Sequence, residues 1–227
     1  MTPIYHSAKV PVIVLDGPAG AGKSTVAREV ARRLGLPFLD TGAIYRAITL
    51  VMLRNGIPPI DSPELREVLE AFSISFSGTR VFVGEEDVTN AIRTPDIESE
   101  VSPYSALPVV REALLEFQRS RKEYGLVAEG RDMGTVVFPD ADLKIFLTAS
   151  PEERAQRRCE ERAARGEPSD YEETLRKVIE RDRIDSTRDT APLKPAEDAI
   201  HLNSTGNTFE ETVSTVMRYV EKIKAHE

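Results

Sequence analysis

The chain carries the run Gly17-Pro18-Ala19-Gly20-Ala21-Gly22-Lys23-Ser24, which fills every fixed position of the pattern G-x-x-x-x-G-K-[ST]. An apolar, β-branched run (VPVIVL, residues 10–15) precedes it, and residues 24–34, with apolar side chains at helical spacing, follow it. A buried strand, a glycine-rich turn and a helix in this order are the context in which the pattern forms a phosphate-binding loop. The stretch therefore predicts a phosphate site at the carboxyl end of a parallel strand.

The residue types in the loop explain how it would hold a nucleotide. Glycines allow a tight turn whose backbone N–H groups point inward, and the following helix adds the partial positive charge of its N-terminus. Lys23 is expected to reach the β- and γ-phosphates, and the Ser24 hydroxyl to ligate Mg²⁺. We expect a nucleoside triphosphate with Mg²⁺ to bind the residues Gly17, Pro18, Ala19, Gly20, Ala21, Gly22, Lys23, Ser24 and Thr25.

Strand and helix signals continue along the chain and indicate an α/β fold. Short apolar runs at residues 37–40, 125–129, 143–147 and 198–202 are typical of further strands, and residues 208–224 have the spacing of a closing amphipathic helix. Strands that alternate with helices build a parallel sheet. The predicted core is therefore a five-stranded parallel sheet flanked by helices.

An insertion of about 80 residues with a different pattern lies between the second and third predicted strands. Residues 72–77 alternate between apolar and polar, Gly78 and Thr79 supply a turn, and residues 80–83 continue the alternation, which predicts a β-hairpin. Residues 112–124 then have the spacing of a helix that returns to the core. We expect a lobe with a small β-sheet, attached to the core.

The charge balance limits the partners. The 227 residues include 30 Lys and Arg against 38 Asp and Glu, which gives a net charge of −8 and a pI near 5.1. Proteins that bind nucleic-acid backbones usually present a net basic face, so no nucleic-acid partner is expected. An anion bound by this chain must be held by local cations set against an acidic background.

Cysteine and histidine usage argues against a disulfide and against a Cys/His metal site. Cys159 is the one cysteine, and His6, His201 and His226 are scattered along the chain. The sequence has no run of 18 apolar residues and no N-terminal pattern of a secretory signal. We therefore expect a soluble, cytoplasmic protein with no membrane contact. A monomer is also expected, although no feature of the sequence determines the oligomeric state.

Three classes of phosphate-loop protein compete. A GTPase switch needs a guanine-reading N-K-x-D run, and a transport ATPase usually carries L-S-G-G-Q, and neither is present in the sequence. A small-molecule kinase needs a second anion site near the loop. Arg46 and Arg131 each follow a predicted strand, at the edge of the sheet where ligands bind, and two arginines there can hold a phosphomonoester. The kinase class is therefore favoured.

Four stretches carry a specific likeness: DGPAGAGKST at 16–25, LDTGAIYRA at 39–47, EGRDMGTVVFPDA at 129–141 and RDRIDSTRDTAPL at 181–193. Together they resemble the bacterial-type cytidylate kinases, over nearly the whole chain and including the insertion. The resemblance implies a phosphate-loop kinase core, an inserted monophosphate-binding lobe with a small β-sheet, and a helical lid. It also implies transfer of the γ-phosphoryl group of ATP to CMP or dCMP, with Mg²⁺.

The resemblance implies a CMP site as well. Arg46 and Arg131 would hold the phosphate, Arg181 and Asp185 would contact the ribose, and Arg188 would lie by the acceptor. Around the cytosine it implies Thr41, Ser102, Arg111 and Asp132, with Tyr45 completing the CMP-binding set. Taken alone, Ser102 in the run SPYS is typical of a loop hydroxyl.

An acidic residue is a suitable reader of cytosine. Asp132 can accept a hydrogen bond from the N4 amino group, whereas uracil presents an acceptor, O4, at that position. A site built to bond one group rejects an analogue that leaves its polar residues unpaired. Many relatives have Ser in place of Thr41 and others have Asp in place of Glu129, so the hydroxyl and the carboxylate are kept. Glu129 is expected near Mg²⁺, through water, beside Ser24.

Residues 151–188 form an arginine-rich stretch with a net charge near zero, and most of its charges are typical of a solvated helix pair. The run Gly166-Glu167-Pro168-Ser169-Asp170 breaks the two helices, and a lid needs such break points. We expect Arg154 and Arg158 to act as lid cations, with Arg157 close behind. The residues expected to be catalytic are Lys23, Arg131, Arg154, Arg158 and Arg188.

The positions 181, 185 and 188 predict that one helix presents Arg181, Asp185 and Arg188 on one face to one ligand. The whole chain is expected to form one kinase domain, with its core in residues 9–40, 125–150 and 189–227, the insertion in 41–124 and the lid with its following helix in 151–188. Two alternatives stay open: another small-molecule phosphate-loop kinase, such as a UMP-preferring or shikimate-type enzyme, and a non-enzymatic nucleotide-dependent switch.

Overall fold

The computed structural model describes residues 10–224, so His6, His226 and the outermost residues of the predicted core lie outside the described residues. The chain divides into two compact units. The first contains the chain up to Leu39 and from Arg121 onward, and the second contains Asp40–Ser120. The second unit covers most of the predicted insertion, while the functional division into core, lobe and lid stays a prediction.

Strands and helices alternate along much of the described chain. The strands are β1 Val12–Asp16, β2 Phe38–Asp40, β3 Ile74–Ser77, β4 Arg80–Val83, β5 Glu86–Asp87, β6 Leu126–Gly130, β7 Leu143–Thr148 and β8 Ile200–Asn203. The helices are α1 Lys23–Leu34, α2 Thr41–Arg54, α3 Pro63–Ala71, α4 Pro95–Ala106, α5 Pro108–Arg119, α6 Pro151–Ala164, α7 Tyr171–Thr187 and α8 Phe209–Lys224. Short 3₁₀ turns lie at Ala91–Arg93 and Ser120–Tyr124, and a π-helical turn lies at Met133–Val137.

A five-stranded sheet in the order β2-β6-β1-β7-β8 forms the centre of the first unit. The central strand β1 pairs in parallel with β6 and β7, and β7 pairs in parallel with β8. All five residues of β1 are buried, as its continuous apolar run predicts. Asp16 at its end is in register with Gly130 and Phe146, so the segments that leave β1 and β6 start at the same edge. The predicted α/β fold class is confirmed.

Helices α1 and α8 cover the sheet with apolar side chains. Val26 and Val30 of α1 pack with Val213 and Val216 of α8 and with the β1 residue Ile13 in one buried cluster. Each pair is separated by three or four positions, so that it lies on one helix face. The packing fixes α1, and therefore the loop that precedes it, against the carboxyl edge of the sheet.

Two helices, α6 and α7, follow β7. Ser150 caps α6 by accepting the N–H of Glu153 at 3.1 Å, and Asp170 caps α7 by accepting the N–H of Glu173 at 2.7 Å. The two helices pack on each other. The predicted break between them, at residues 166–170, is where α6 has ended and α7 has not begun.

The second unit combines helices with a small sheet. Strands β3, β4 and β5 form an antiparallel sheet, in which Ile74 is in register with Val83. The predicted hairpin is confirmed, and β5 is a third strand that the sequence pattern did not indicate. Helices α2 and α4 pack together, and the buried Tyr104 of α4 donates its hydroxyl hydrogen to the carbonyl oxygen of Ile57.

Several predicted boundaries in the second unit were wrong. The helix expected at 112–124 begins at Pro108, which suits a first helical position because its missing N–H needs no partner there. It ends at Arg119. Ser102 lies inside α4 and is buried, not in a loop, because Pro103 is accommodated within the helix. Helices α2, α3 and α4 were not predicted.

A membrane-spanning helix is not found in the part of the chain that the structure describes. Among the helices of residues 10–224, none combines the length and the apolar character that a bilayer crossing requires.

Candidate active site

The phosphate loop connects the end of β1 to the start of α1. Lys23 is only 5% exposed, and its Nζ donates a hydrogen bond across the loop to the carbonyl oxygen of Pro18 at 2.8 Å. Gly17 has a φ of +146°, and a Cβ added there would lie 2.0 Å from the carbonyl oxygen of Leu147. Only glycine satisfies both the backbone conformation and this close approach to β7. The loop is therefore shaped by sterics as well as by its flexible composition.

Glu129 in β6 faces the beginning of α1. Its Oε1 accepts a hydrogen bond from the Ser24 hydroxyl at 2.9 Å, and its Oε2 lies 4.0 Å from Nζ of Lys23. Burial lowers the pKa of Lys23 to about 7, the charge of Arg131 acts in the same direction, and Glu129 opposes both. A phosphate in the loop would restore the charge of Lys23, because its oxygens supply the attraction that burial removes.

Ser24 and Glu129 together are suited to bind a hard divalent cation. The Ser24 hydroxyl and the Glu129 carboxylate meet at 2.9 Å, and hydroxyl, carboxylate and water oxygens are the ligands that Mg²⁺ prefers. Within residues 10–224, no group of three or more His, Cys, Asp and Glu residues is arranged to hold a metal ion. An ion at this place would therefore take most of its ligands from water and from nucleotide phosphates, as Mg²⁺ in kinase sites usually does.

Arg131 follows β6 and is bonded to Asp185 of α7. Its Nε donates to Oδ2 of Asp185 at 2.8 Å. Burial raises the pKa of Asp185, but the charges of Arg131 and Arg181 outweigh it and hold this pKa below its usual value. Two residues implied to bind different parts of CMP are thus in contact with each other, within the first unit.

Asp132 and Arg188 form a second, looser pair. Asp132 is 2% exposed, and its Oδ1 lies 4.0 Å from Nη2 of Arg188. Helix α7 ends at Thr187 and the backbone of Arg188 is extended, so the prediction that one helix face presents residues 181, 185 and 188 was wrong for Arg188. The physical reason is local: Nε of Arg188 donates to the carbonyl oxygen of Ala191 at 2.8 Å, in the segment that turns back after the helix.

The predicted lid arginines differ in their surroundings. Arg154 is buried, and its guanidinium donates to the carbonyl oxygens of Ala19 and Ala149, each at 3.0 Å, and to Asp182. Arg157 donates to the Glu153 carboxylate at 3.1 Å and to the carbonyl oxygen of Ser204 at 2.9 Å.

Two further arginines lie on or next to α6, Arg158 and Arg165. Arg158 is half-buried on α6. Arg165 lies beyond the end of α6 and pairs with Glu167. The catalytic roles of Arg154 and Arg158 stay predictions, and the structure adds that Arg154 contacts the phosphate loop directly.

In the second unit, Tyr45 and Arg111 form a stacked pair. The guanidinium carbon of Arg111 lies 5.2 Å from the centre of the Tyr45 ring, a distance at which the cation is attracted by the ring face. Nη1 of Arg111 also donates to the carbonyl oxygen of Ser105 at 3.0 Å. Arg111 and Ser102 are both buried. The arginine is thus held in a fixed orientation by α4 and α2.

Asp40 connects two further arginines of the second unit. It caps α2 by accepting the N–H of Ala43 at 2.7 Å, and it lies 3.5 Å from Nη2 of Arg46 and 3.9 Å from that of Arg93. Among residues 10–224, the buried Nε of Arg46 has no hydrogen-bond partner. A buried donor of this kind is available to a bound anion. Thr41 begins α2 beside this cluster.

The predicted site residues therefore lie in two groups, one in each unit. The first unit holds the loop, Glu129 and the residues 131, 132, 181, 185 and 188, and the second unit holds residues 41, 45, 46, 102 and 111. Their convergence on one crevice stays a prediction. Sequence reasoning missed Arg93, Asp182 and Asp16. The run DGPAGAGKS could have pointed to Asp16, because a carboxylate that ends a buried strand is unusual.

A parallel sheet of this order, with a phosphate loop after its central strand β1 and Arg131 directly after the neighbouring strand β6, is typical of a phosphate-loop kinase. The family model described as cytidylate kinase matches residues 13–222. The chain belongs to the cytidylate kinase family.

Individual relatives agree with this assignment. The chain is 48% identical to the cytidylate kinase of an Exiguobacterium species over 218 residues, which covers 94% of this chain and 97% of that protein. It is 47% identical to the cytidylate kinase of Pseudomonas aeruginosa over 220 residues, which covers 94% and 96% of the two chains. A solved structure of an uncharacterized protein from Eubacterium ventriosum is similar in fold, with a TM-score of 0.53 at 11% identity, covering 95% of this chain and 99% of that chain.

Proposed function

We propose that the chain transfers the γ-phosphoryl group of ATP to CMP or dCMP, giving ADP and CDP or dCDP. The observation that carries the proposal is the family match over residues 13–222. Two further observations support it. The phosphate loop contains a buried lysine, Lys23, and relatives that are 47–48% identical are named cytidylate kinases.

The donor side of the reaction is assigned to the phosphate loop. The backbone N–H groups of residues 17–24, except at Pro18, which has none, and Nζ of Lys23 would hold the β- and γ-phosphates. Ser24 and, through water, Glu129 would hold Mg²⁺. Bound there, Mg²⁺ neutralises the charge of the phosphate oxygens between which the phosphoryl group moves.

The acceptor side is assigned to the CMP-binding residues that the resemblance implies. Arg131 and Arg46 would hold the phosphate of CMP, and Asp132 would accept a hydrogen bond from the N4 amino group of cytosine. Tyr45, Thr41, Ser102 and Arg111 would complete the base site, and Arg181, Asp185 and Arg188 the ribose and approach. The buried Nε of Arg46 and the buried carboxylate of Asp132 support this assignment.

The transfer itself needs no strong general base. A phosphate oxygen of CMP, already ionised at neutral pH, bonds to the γ-phosphorus while the bond to the β–γ bridging oxygen breaks. The residues contribute position and positive charge, which stabilise the charge on the migrating group. Closure of a lid in residues 151–188, with Arg158 arriving at the phosphates, would exclude water and so prevent hydrolysis of ATP.

The proposal includes the state of the protein as well. It would act as a monomer in the cytoplasm, with ATP and CMP or dCMP as its partners and without nucleic acid. The net charge of −8 supports the last point. Light scattering on the protein as it elutes from a size-exclusion column checks the monomeric state, since a monomer has a mass of 25.2 kDa.

A panel of acceptors tests the function. ADP formation is followed with ATP and Mg²⁺ against CMP, dCMP, UMP, AMP, GMP and shikimate. We expect turnover with CMP and dCMP to exceed that with every other acceptor. Preference for UMP or shikimate would assign the chain to another kinase activity, and ATP binding without acceptor-dependent turnover would assign it to the nucleotide-dependent switches.

A further inference from the structure

The last residue of β1, Asp16, carries a buried carboxylate directly before the phosphate loop. Only 4% of the residue is exposed. Its Oδ1 accepts a hydrogen bond from the backbone N–H of Met133 at 2.8 Å, and its Oδ2 accepts one from that of Gly134 at 2.7 Å. Each carboxylate oxygen is therefore bonded to the backbone of a segment more than 100 residues further along the chain.

The two N–H donors directly follow Arg131 and Asp132. On the other side of these residues, Gly130 is the register partner of Asp16 in the sheet. Arg131 and Asp132 thus stand between two points that are both fixed to Asp16, one by strand pairing and one by the carboxylate. A segment of two residues held at both ends has little freedom to change its direction.

The free-energy cost of this carboxylate indicates that it serves more than packing. Burial raises the pKa of Asp16 to about 7 and the charge of Asp132 adds to the rise, while the two backbone donors and the charge of Lys23 oppose it. An apolar residue at the end of a buried strand would avoid the desolvation of a charge. The aspartate instead supplies acceptors to the backbone N–H groups of Met133 and Gly134, and its two hydrogen bonds hold these groups in place.

We propose that Asp16 is a positioning residue that orients Arg131 and Asp132 toward the acceptor by holding the N–H groups of Met133 and Gly134. The inference rests on the proposed function, in which Arg131 binds the acceptor phosphate and Asp132 reads its base. Because Asp16 directly precedes the phosphate loop, its side chain sets the acceptor-binding segment relative to the loop that holds the donor.

Close packing around the turn makes it sensitive to small shifts. A Cβ added to Gly134 would lie 3.1 Å from Cδ of Lys144 and 3.4 Å from Oδ2 of Asp16. Lys144 is itself held, because its Nζ donates to the carbonyl oxygen of Pro139 at 2.6 Å and to Asp198 at 2.9 Å. The turn is therefore closely packed at Gly134 by Lys144 and bonded there to Asp16.

The variant Asp16→Asn tests the inference. Asparagine has the same shape but one acceptor oxygen, so one of the two N–H groups would face an NH₂ group and lose its bond. We expect kcat/KM for CMP to fall about tenfold to a hundredfold, as misplacement of reacting groups commonly costs. The ratio of kcat/KM for CMP to that for UMP should fall as well, with KM for ATP changed less than about twofold, because the phosphate loop itself is untouched.

The matched control is Asp142→Asn. Oδ2 of Asp142 accepts the N–H of Val12 at 2.8 Å, at the opposite end of the same strand. One amide oxygen is enough to keep that bond, so this variant should retain the CMP to UMP ratio of the unaltered protein. A purely structural role of Asp16 would lower the melting temperature and kcat for both acceptors while leaving the ratio unchanged, and this result would overturn the inference.

Two further measurements keep the test decisive. If Asp16→Asn does not fold, the variant Gly134→Ala displaces the same turn at one of the two residues whose N–H bonds to Asp16. An unchanged ratio of kcat/KM for CMP to that for UMP in Gly134→Ala would count against a positioning role of Asp16. Hydrogen exchange at the amides of Met133 and Gly134 should accelerate in Asp16→Asn and not in Asp142→Asn. This readout needs no substrate, so a protein inactive on CMP would refute the proposed function and still leave the anchoring by Asp16 open to measurement.

Discussion

The guanidinium group of Arg154 is bonded to the phosphate loop itself, because its Nη1 donates to the carbonyl oxygen of Ala19 at 3.0 Å. The same group donates to Ala149 and pairs with Asp182 of α7. Arg154 thus connects the loop, the start of α6 and the middle of α7 through one buried side chain. A side chain that is bonded on every edge of its planar group is suited to hold the loop in shape.

Replacing this arginine should therefore affect stability. We expect Arg154→Met to lower the free energy of unfolding by about 3 kcal/mol, at the low end for a broken buried pair because Asp182 is partly exposed. Urea unfolding measures the loss, and Arg158→Met on the same helix is the control, with a smaller expected loss. An Arg154→Met protein of normal stability but strongly reduced kcat would favour the lid role that the sequence predicts.

Lys23 should control both turnover and the pH dependence of stability. In Lys23→Met, kcat should fall by orders of magnitude while the fold is retained, because the contact with the β- and γ-phosphates is lost. In the folded chain, the pKa of Lys23 is about 7, below its ordinary value of 10.5. Between these two values the unfolded chain binds a proton that the folded chain does not, so the stability of the unaltered protein relative to Lys23→Met should rise with pH.

Unfolding in urea at pH 7 and pH 9 checks this sign. Lys122→Met is the control, since Lys122 is exposed and pairs with Asp140 on the surface. A stability difference between the unaltered protein and Lys23→Met that stays constant over this range would contradict the lowered pKa. Near-normal turnover of Lys23→Met would contradict the assignment of the phosphate loop.

Asp132 should discriminate between cytosine and uracil. In Asp132→Ala, we expect kcat/KM for CMP to fall about a hundredfold, the cost of a lost hydrogen bond to a charged group. The value for UMP should change only a few-fold, because uracil never made this bond. Initial rates with both acceptors measure the effect, and Asp140→Ala, at an exposed carboxylate, is the control. Equal losses on CMP and UMP would refute the reading of the base by Asp132.

Gly17 should tolerate no side chain. Its φ is +146°, and a Cβ would lie 2.0 Å from the carbonyl oxygen of Leu147, so Gly17→Ala should prevent formation of the loop. Gly206 also has a positive φ, +73°, but has open space around its Cβ position. Gly206→Ala should therefore cost only the backbone strain of about 1–2 kcal/mol. Melting temperatures of the two variants test the steric difference, which similar values would disprove.

Local pattern was enough to predict the phosphate loop, the five core strands, the hairpin and the break before α7. Each depends on neighbours in sequence, such as the β-branched run before Gly17. The end of α7 could not be predicted, because the side-chain bond of Arg188 to Ala191 competes with another helical turn. Helix α4 was missed because Pro103 lies within it and is tolerated only where the surrounding packing compensates.

The sequence predicts which residues belong to the candidate site, but it does not predict the long-range hydrogen bonds that surround them. The positions of Lys23, Arg131 and Asp132 at the edge of the sheet follow from the strands that precede them. Spacing along the chain does not indicate that Arg154 would contact Ala19, 135 residues away, or that Asp16 would hold the backbone at Met133. Such bonds exist only after the sheet has brought distant segments together.

The contact between Arg131 and Asp185 has a consequence for inhibitor design. A compound that offers only an anion would draw Arg131 away and leave the Asp185 carboxylate without its strongest counter-charge. A scaffold that carries an anion together with hydroxyl donors would give Arg131 a new acceptor and Asp185 new donors at the same time. Fragments should therefore be screened as linked pairs of an anion and a hydroxyl donor, so that both Arg131 and Asp185 keep a partner.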